Sequence, residues 1–185
     1  MTSITHNLRS GIFFCLLVAV LTGCATTSDH ELSRLSRYRE AERIANAHLV
    51  TFDTLDFDVF TNQQWDRLYE SHARNIVVHW PDGHQTVGIE KHIEDLKTIF
   101  LHAPDARIKT HPVKIASGEW TSVIGVMEGT FTKPMVTPDG KTIQPTGKAY
   151  KLTMCTVGHW KDGVMDEEYL FWDNAEYMKQ IGLAQ

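Results

Sequence analysis

The chain has 185 residues, 42% of them hydrophobic and 22% charged, with a formal net charge of −5. That length suffices for one domain with a core of its own. A mildly acidic chain without a basic stripe argues against nucleic acid as a partner; three cysteines argue against a disulfide scaffold, and none has the spacing to histidine of a zinc site.

At the N-terminus, residues 11–22 form an apolar run behind Arg9. The run is shorter than the ~20 residues a permanent span needs, and small residues follow it as in a secretory signal. Leu21-Thr22-Gly23-Cys24 resembles the bacterial lipobox, in which the peptide is cut before the cysteine and that cysteine is lipidated. An uncleaved anchor, or an ordinary signal with a chance cysteine, is the alternative. On the lipoprotein reading, residues 1–23 are a signal peptide, 24–30 a polar tether and 31–185 the domain, and Cys24 is the lipidation site that holds the protein to a membrane. Ala25 after the cysteine, in place of aspartate, implies sorting to the outer membrane, facing the periplasm. Cys155, alone in an apolar strand, reads as a small buried hydrophobe.

Helical spacing of Leu32, Leu35, Tyr38, Ala41, Ile44, Ala45 and Leu49 predicts a helix over 31–49. The mixed run Phe52–Asp58 either extends it or connects it to a second helix over 61–72. A strand over 75–80 ends at Pro81-Asp82-Gly83, and a helix over 89–101 ends at Ala103-Pro104-Asp105. Strands follow over 107–117, 119–132, 147–161 and 164–173, with tight turns at Gly118-Glu119 and Asp162-Gly163, a longer loop over 133–146, and a last helix over 174–181. Helices followed by antiparallel strands is the α+β order, and a twisted sheet wrapped on helices leaves a cavity suited to a ligand.

Several short motifs recur in a fixed order: His79-Trp80-Pro81, Gly88-Ile89-Glu90, Pro104-Asp105, Gly129-Thr130, Pro145 to Lys148, Asp162-Gly163, then Glu167, Tyr169 and Asp173, and finally Gln180-Ile181-Gly182. With these, the chain from about Leu49 to Leu183 resembles a SnoaL-like polyketide cyclase or ester cyclase domain of the nuclear transport factor 2-like superfamily. The resemblance implies a cone-shaped α+β barrel, a curved antiparallel sheet wrapped around N-terminal helices, no required cofactor, and a homodimer formed through the open sheet face. This chain carries Glu128 and His159 where many members carry arginine, and Tyr169 where many carry tryptophan.

On the last strand one face holds Met165, Glu167, Tyr169, Phe171 and Asp173, the other Val164, Asp166, Glu168, Leu170 and Trp172. Both are mixed, and the family register favours Glu167, Tyr169 and Asp173 pointing inward. A carboxylate in an apolar cavity has a raised pKa and can act as general base or acid, so Glu167, Asp173, His159 and His79 are the candidate catalytic residues. Glu167 in a rim ion pair, and His159 in an ion pair near Asp166 or Glu167, are the plainer readings. Trp80, His111, Glu128, Met135 and Tyr169 are candidate substrate contacts; a buried Glu128 needs a donor such as His79, His111 or Tyr169. His79 and His84 flank a turn and lack a third ligand at metal spacing, so no metal is expected.

The expected function is acid–base chemistry (aldol-type cyclisation, hydration or isomerisation) on a small, partly apolar carbonyl compound. Non-catalytic binding of a small molecule, or a dimeric interaction domain in the envelope, are the alternatives.

Overall fold

The computed structural model describes residues 10–137 and 140–184, with side chains from Ser28 onward. Residues 1–9 of the expected signal peptide and the side chain of Cys24 lie outside the described residues. The chain divides into two compact units, 1–41 and 42–185. In the first, every described side chain, Leu32, Leu35 and Tyr38 included, is exposed. Among the described residues no helix is long and apolar enough to cross a membrane.

Helix α1 spans Ser10–Thr54, longer at both ends than the predicted 31–49. It continues without a break into one π-helical turn, Leu55–Phe60. The predicted second helix is only a short 3-10 helix, Trp65–Glu70. Strand β1, His72–His79, begins three residues earlier than expected, and β2 is Gln85–Val87. Helix α2, Ile89–His102, buries Ile89, His92, Leu96 and Phe100 on one stripe. The predicted strand over 107–117 is two, β3 Arg107–Ile108 and β4 Val113–Ser117; Pro112, which has no N–H to give a ladder, lies in the break. Strand β5 is Trp120–Thr130, and the expected loop over 133–146 holds a small ladder of β6, Met135–Val136, and β7, Thr142–Ile143. Strands β8, Ala149–Lys161, and β9, Val164–Trp172, form a hairpin. Its turn residues Asp162 and Gly163 both have positive φ, 52° and 85°, as a tight hairpin of this twist requires. Helix α3, Asn174–Gln180, closes the chain.

The main sheet runs β2-β1-β9-β8-β5-β3, with β4 also on β5. Among the described residues only the β1–β9 pair of this sheet is parallel. This is a mixed α+β fold in which one sheet face packs on α2 and on the segment from Glu42 to Phe60. Phe52, Leu55, Phe60, Leu96, Phe100, Val123, Met127, Leu152, Trp160, Met165 and Leu170 are the heart of the core.

The β8–β9 hairpin carries the irregularity that sets the site. His159 pairs with Glu167 and Trp160 with Met165, so Asp166 is an extra residue on β9. Such a bulge reverses which side chains face inward beyond it. Met165 is buried before the bulge; Glu168 and Leu170 are buried after it.

Candidate active site

The inner face of β9 beyond the bulge looks into an apolar cavity between sheet and helices. Its deep chamber, about 40 Å³, is walled by Leu55, Phe60, Leu96, Ile108, Met154 and Leu170, and carries four ionisable groups: Asp56, His72, His92 and Glu168. Trp80, Ile99, Met127 and Trp172 separate it from an outer vestibule of about 250 Å³, lined also by His84, Asp95, His102, Tyr150 and Tyr177. The two indoles meet edge to face at 6.1 Å. Trp80 is fixed by its Nε1–H donating to Thr86 Oγ1 at 2.9 Å, and Thr86 donates in turn to Asp95 Oδ2 at 2.6 Å.

Asp56 comes from the π-helical turn and reaches the chamber backed by His111. The His111 ring, almost wholly buried, is hydrogen-bonded through Nε2 to Asp56 Oδ2 and through Nδ1 to Asp53 Oδ1, both at 2.8 Å. Asp53 is tied outward to Lys114 Nζ at 2.6 Å. Burial pushes the Asp56 carboxyl up against the pull of His111, and the nearby charge of Glu168 adds to the rise. Burial would lower His111, but its bonds to Asp56 and Asp53 prevail and raise it.

Glu168 enters from β9, His72 from the start of β1 and His92 from the buried stripe of α2. Glu168 Oε2 lies 3.6 Å from His72 Nε2 and 3.5 Å from His92 Nε2. Burial raises Glu168, yet the two imidazoles hold it below the usual carboxylate range; burial brings His92 down to about 4. Acids with oppositely displaced pKa values on one cavity wall are the pattern of a proton-transfer site.

The chain matches the SnoaL-like polyketide cyclase family over residues 53–181. It belongs to that family. A candidate SnoaL-like polyketide cyclase from Jannaschia sp. CCS1 is 19% identical with a TM-score of 0.66, covering 77% of this chain and 96% of its own. IdmH, a candidate polyketide cyclase from Streptomyces antibioticus, is 21% identical with a TM-score of 0.61, covering 73% and 98%. A ketosteroid isomerase-like protein from Catenulispora acidiphila, solved with trimethylamine, is 12% identical with a TM-score of 0.57, covering 74% and 92%. At these identities the likeness shows the nuclear transport factor 2-like fold. No curated protein matches the chain.

Within this SnoaL-like domain the residues singled out by sequence fall in different places. The inward register expected for Glu167, Tyr169 and Asp173 is not the one adopted, because of the extra residue at Asp166. Glu167 and Tyr169 lie on the outer sheet face, where Glu167 Oε1 accepts from Tyr169 OH at 2.7 Å and from His79 Nε2 at 2.8 Å. Those two bonds hold the Glu167 carboxyl low, and His79 stacks on Tyr169 at 4.1 Å. Asp173 caps α3, its Oδ1 accepting from the N–H of Ala175 and Glu176. His159 donates to Asp166 Oδ1 at 2.6 Å on the same outer face. Glu128 is outward too, and its partners are Arg107 and Lys151 rather than His79, His111 or Tyr169. Met135 packs against the core without lining either chamber. Of the expected contacts, Trp80 lines both chambers, and His111 reaches the deep one through Asp56.

Sequence reasoning missed Asp53, Asp56, His72, His92 and Glu168. Asp53 and Asp56 stand three apart on a helical segment and so share a face. His92 falls on the buried stripe of α2, three residues after Ile89 and four before Leu96. Those two spacings were the available signals. For His72, first residue of a strand after a short 3-10 helix, there was none.

Proposed function

We propose that the cavity carries out proton-transfer chemistry on a small, partly apolar carbonyl compound, of the aldol-type closure, hydration or isomerisation class. Asp56, backed by His111, is the group that gives and takes the proton. The observation that carries this reading is a carboxyl pushed up by burial and hydrogen-bonded to a buried imidazole, at the wall of an otherwise apolar chamber. Such a group is usable near neutral pH. The vestibule accommodates the apolar body of the ligand, and the deep chamber admits its reacting end. Membership of the SnoaL-like family supports a small-molecule site of this kind.

The test is exchange of protons next to a carbonyl. A panel of cyclic enones and β-keto esters is incubated with the protein in deuterated water and followed by NMR. We expect Asp56→Asn to slow exchange on an accepted probe by at least ~100-fold, the lower range for loss of a general acid–base group. Glu167→Gln, on the outer face, is expected to leave the rate unchanged. Exchange that survives Asp56→Asn and is lost in Glu167→Gln would return the chemistry to the outer cluster. Ligands that bind and come back unlabelled from every probe would favour a binding protein instead.

Two further proposals concern the setting. Leu21 to Cys24 supports lipid anchoring to the envelope, with the domain facing the periplasm. The exposed apolar residues of the outer sheet face, among them Trp120 and Phe171, support a homodimer through that face.

A further inference from the structure

The proton-transfer reading gives His72, His92 and Glu168 no proton to move, and they are in an unusual state. Their side chains are 1%, 2% and 6% exposed, and one donor atom from each lies within 4.8 Å of the other two. The separations of 3.5 and 3.6 Å from Glu168 Oε2 to the two imidazole nitrogens are too long for hydrogen bonds of useful strength. Glu168 Oε2 and His72 Nε2 have no hydrogen-bond partner among the described residues. Ser71 fixes the His72 tautomer. Its hydroxyl gives its one hydrogen to Leu68 O at 3.2 Å, so its oxygen accepts from His72 Nδ1–H at 2.8 Å. In the neutral ring the Nε2 lone pair then points at a carboxylate lone pair. Two acceptors buried face to face are costly unless something positive sits between them.

We propose that His72 Nε2, His92 Nε2 and Glu168 Oε2 bind a divalent transition cation, zinc foremost. Ligand atoms ~2.1 Å from a tetrahedral zinc lie about 3.4 Å from one another, close to the spacing found here. Two imidazoles and one carboxylate are borderline donors that suit zinc, whereas calcium and magnesium want oxygen sets. With three protein ligands, a fourth position stays open toward the deep chamber, as in zinc sites that meet a substrate. A chamber of about 40 Å³ has room there for a water or a carbonyl oxygen. Ser71 is a positioning residue, holding the His72 ring through Nδ1. The site follows from these three side chains alone and does not depend on which proton Asp56 moves.

The experiment uses the untagged full chain, stripped with chelator, and titrated with Co²⁺ under visible absorption and with Zn²⁺ by calorimetry. We expect one ion per chain, with the intense visible bands of a tetrahedral cobalt site, and a rise in melting temperature on adding Zn²⁺. Glu168→Gln and His92→Ala are expected to weaken binding at least ~100-fold, and Ser71→Ala about 10-fold, in line with loss of an outer-shell partner. His159→Ala, which removes the outer-face bond to Asp166, is expected to bind as the parent does. Circular dichroism identifies any ligand variant that fails to fold; Ser71→Ala, which keeps all three ligands, then decides. A parent chain that takes up neither ion in large molar excess overturns the proposal. Unchanged affinity in Glu168→Gln, or in Ser71→Ala where the ligand variants do not fold, overturns it too. Asp56→Asn is expected to keep the cobalt spectrum even where it abolishes proton exchange, so failure of either reading is seen separately.

Discussion

Both ring nitrogens of His111 face carboxylate oxygens at 2.8 Å, and an ionised carboxylate can only accept. The cluster of Asp53, His111 and Asp56 therefore holds one proton more than a neutral imidazole carries, either on the ring or on Asp56. Burial works against the charged ring, but the two acids outweigh it and lift its pKa above 6.5. A histidine raised on folding contributes stability that is complete below 6.5 and is lost as pH rises through the folded value. We expect the His111 resonances to titrate above 6.5, to move down in Asp53→Asn, and urea unfolding to show stability falling over that window. His111→Gln should lack this slope. A ring that titrates at or below 6.5 would remove the basis for assigning the extra proton. The sequence marked His111 as a pocket candidate but not its partners, because Asp53 and Asp56 looked like part of a mixed connecting run. Only the unbroken passage of α1 into the π-helical turn brings both acids to one imidazole.

Most of the motifs that made the fold legible turn out to fasten elements together. Asp105 of Pro104-Asp105 accepts from both the N–H and the hydroxyl of Thr130, each at 2.8 Å. Its neighbour Gly129 leaves room for the Tyr150 ring, whose hydroxyl would lie 2.6 Å from an added Cβ. Gln180 accepts from the N–H of Lys151 at 2.6 Å, and Thr146 donates to Ile181 O, clamping α3 to β8 and its approach. These are local, ordered in sequence, and readable. The site is not, because one extra residue at Asp166 inverts the pleat and no residue type announces it. A chain lacking Asp166 restores plain alternation from Met165, with Glu167 and Tyr169 still outward and Glu168 and Leu170 still inward. Removing Asp166 and Glu167 together sets Glu168 directly after Met165 and turns Glu168 and Leu170 outward, which costs about 2–3 kcal/mol for Leu170 alone, out of a total stability on the order of 5–15 kcal/mol. We expect the single deletion to melt in one cooperative transition followed by circular dichroism, and the double deletion to lose much of that stability. A double deletion that melted like the parent would mean the pleat does not set which residues are buried.

At the scale of the molecule, helices followed by strands gave the α+β class from pattern alone, and the sheet order needed only the hairpins and one parallel return. What pattern could not give is which sheet face is the outer one. Val113, Ile124, Cys155 and Phe171 stand opposite one another in a row across four strands of that face, and Val113 and Phe171 are 42% and 52% exposed. If this face joins two copies, Phe171→Glu should yield a monomer by light scattering with cobalt binding intact; a parent that is itself monomeric at high concentration would sink the dimer. Anchoring has its own test: Cys24→Ser should move the protein from the membrane fraction of a bacterial host to the soluble one and remove the acyl mass from its N-terminus. A soluble parent would end the lipoprotein reading.

The wall of Trp80, Ile99, Met127 and Trp172 shared by the two chambers has a consequence for selectivity. On the proposed function, a space of about 40 Å³ beside a wider one of about 250 Å³ filters by functional group rather than by molecular outline. Any compound slim enough at its oxygenated tip can present that tip, whatever scaffold trails behind. Redesign for new scaffolds therefore belongs in the outer room, at Thr98 and Tyr177, where changes alter what is admitted with the least effect on the inner chamber.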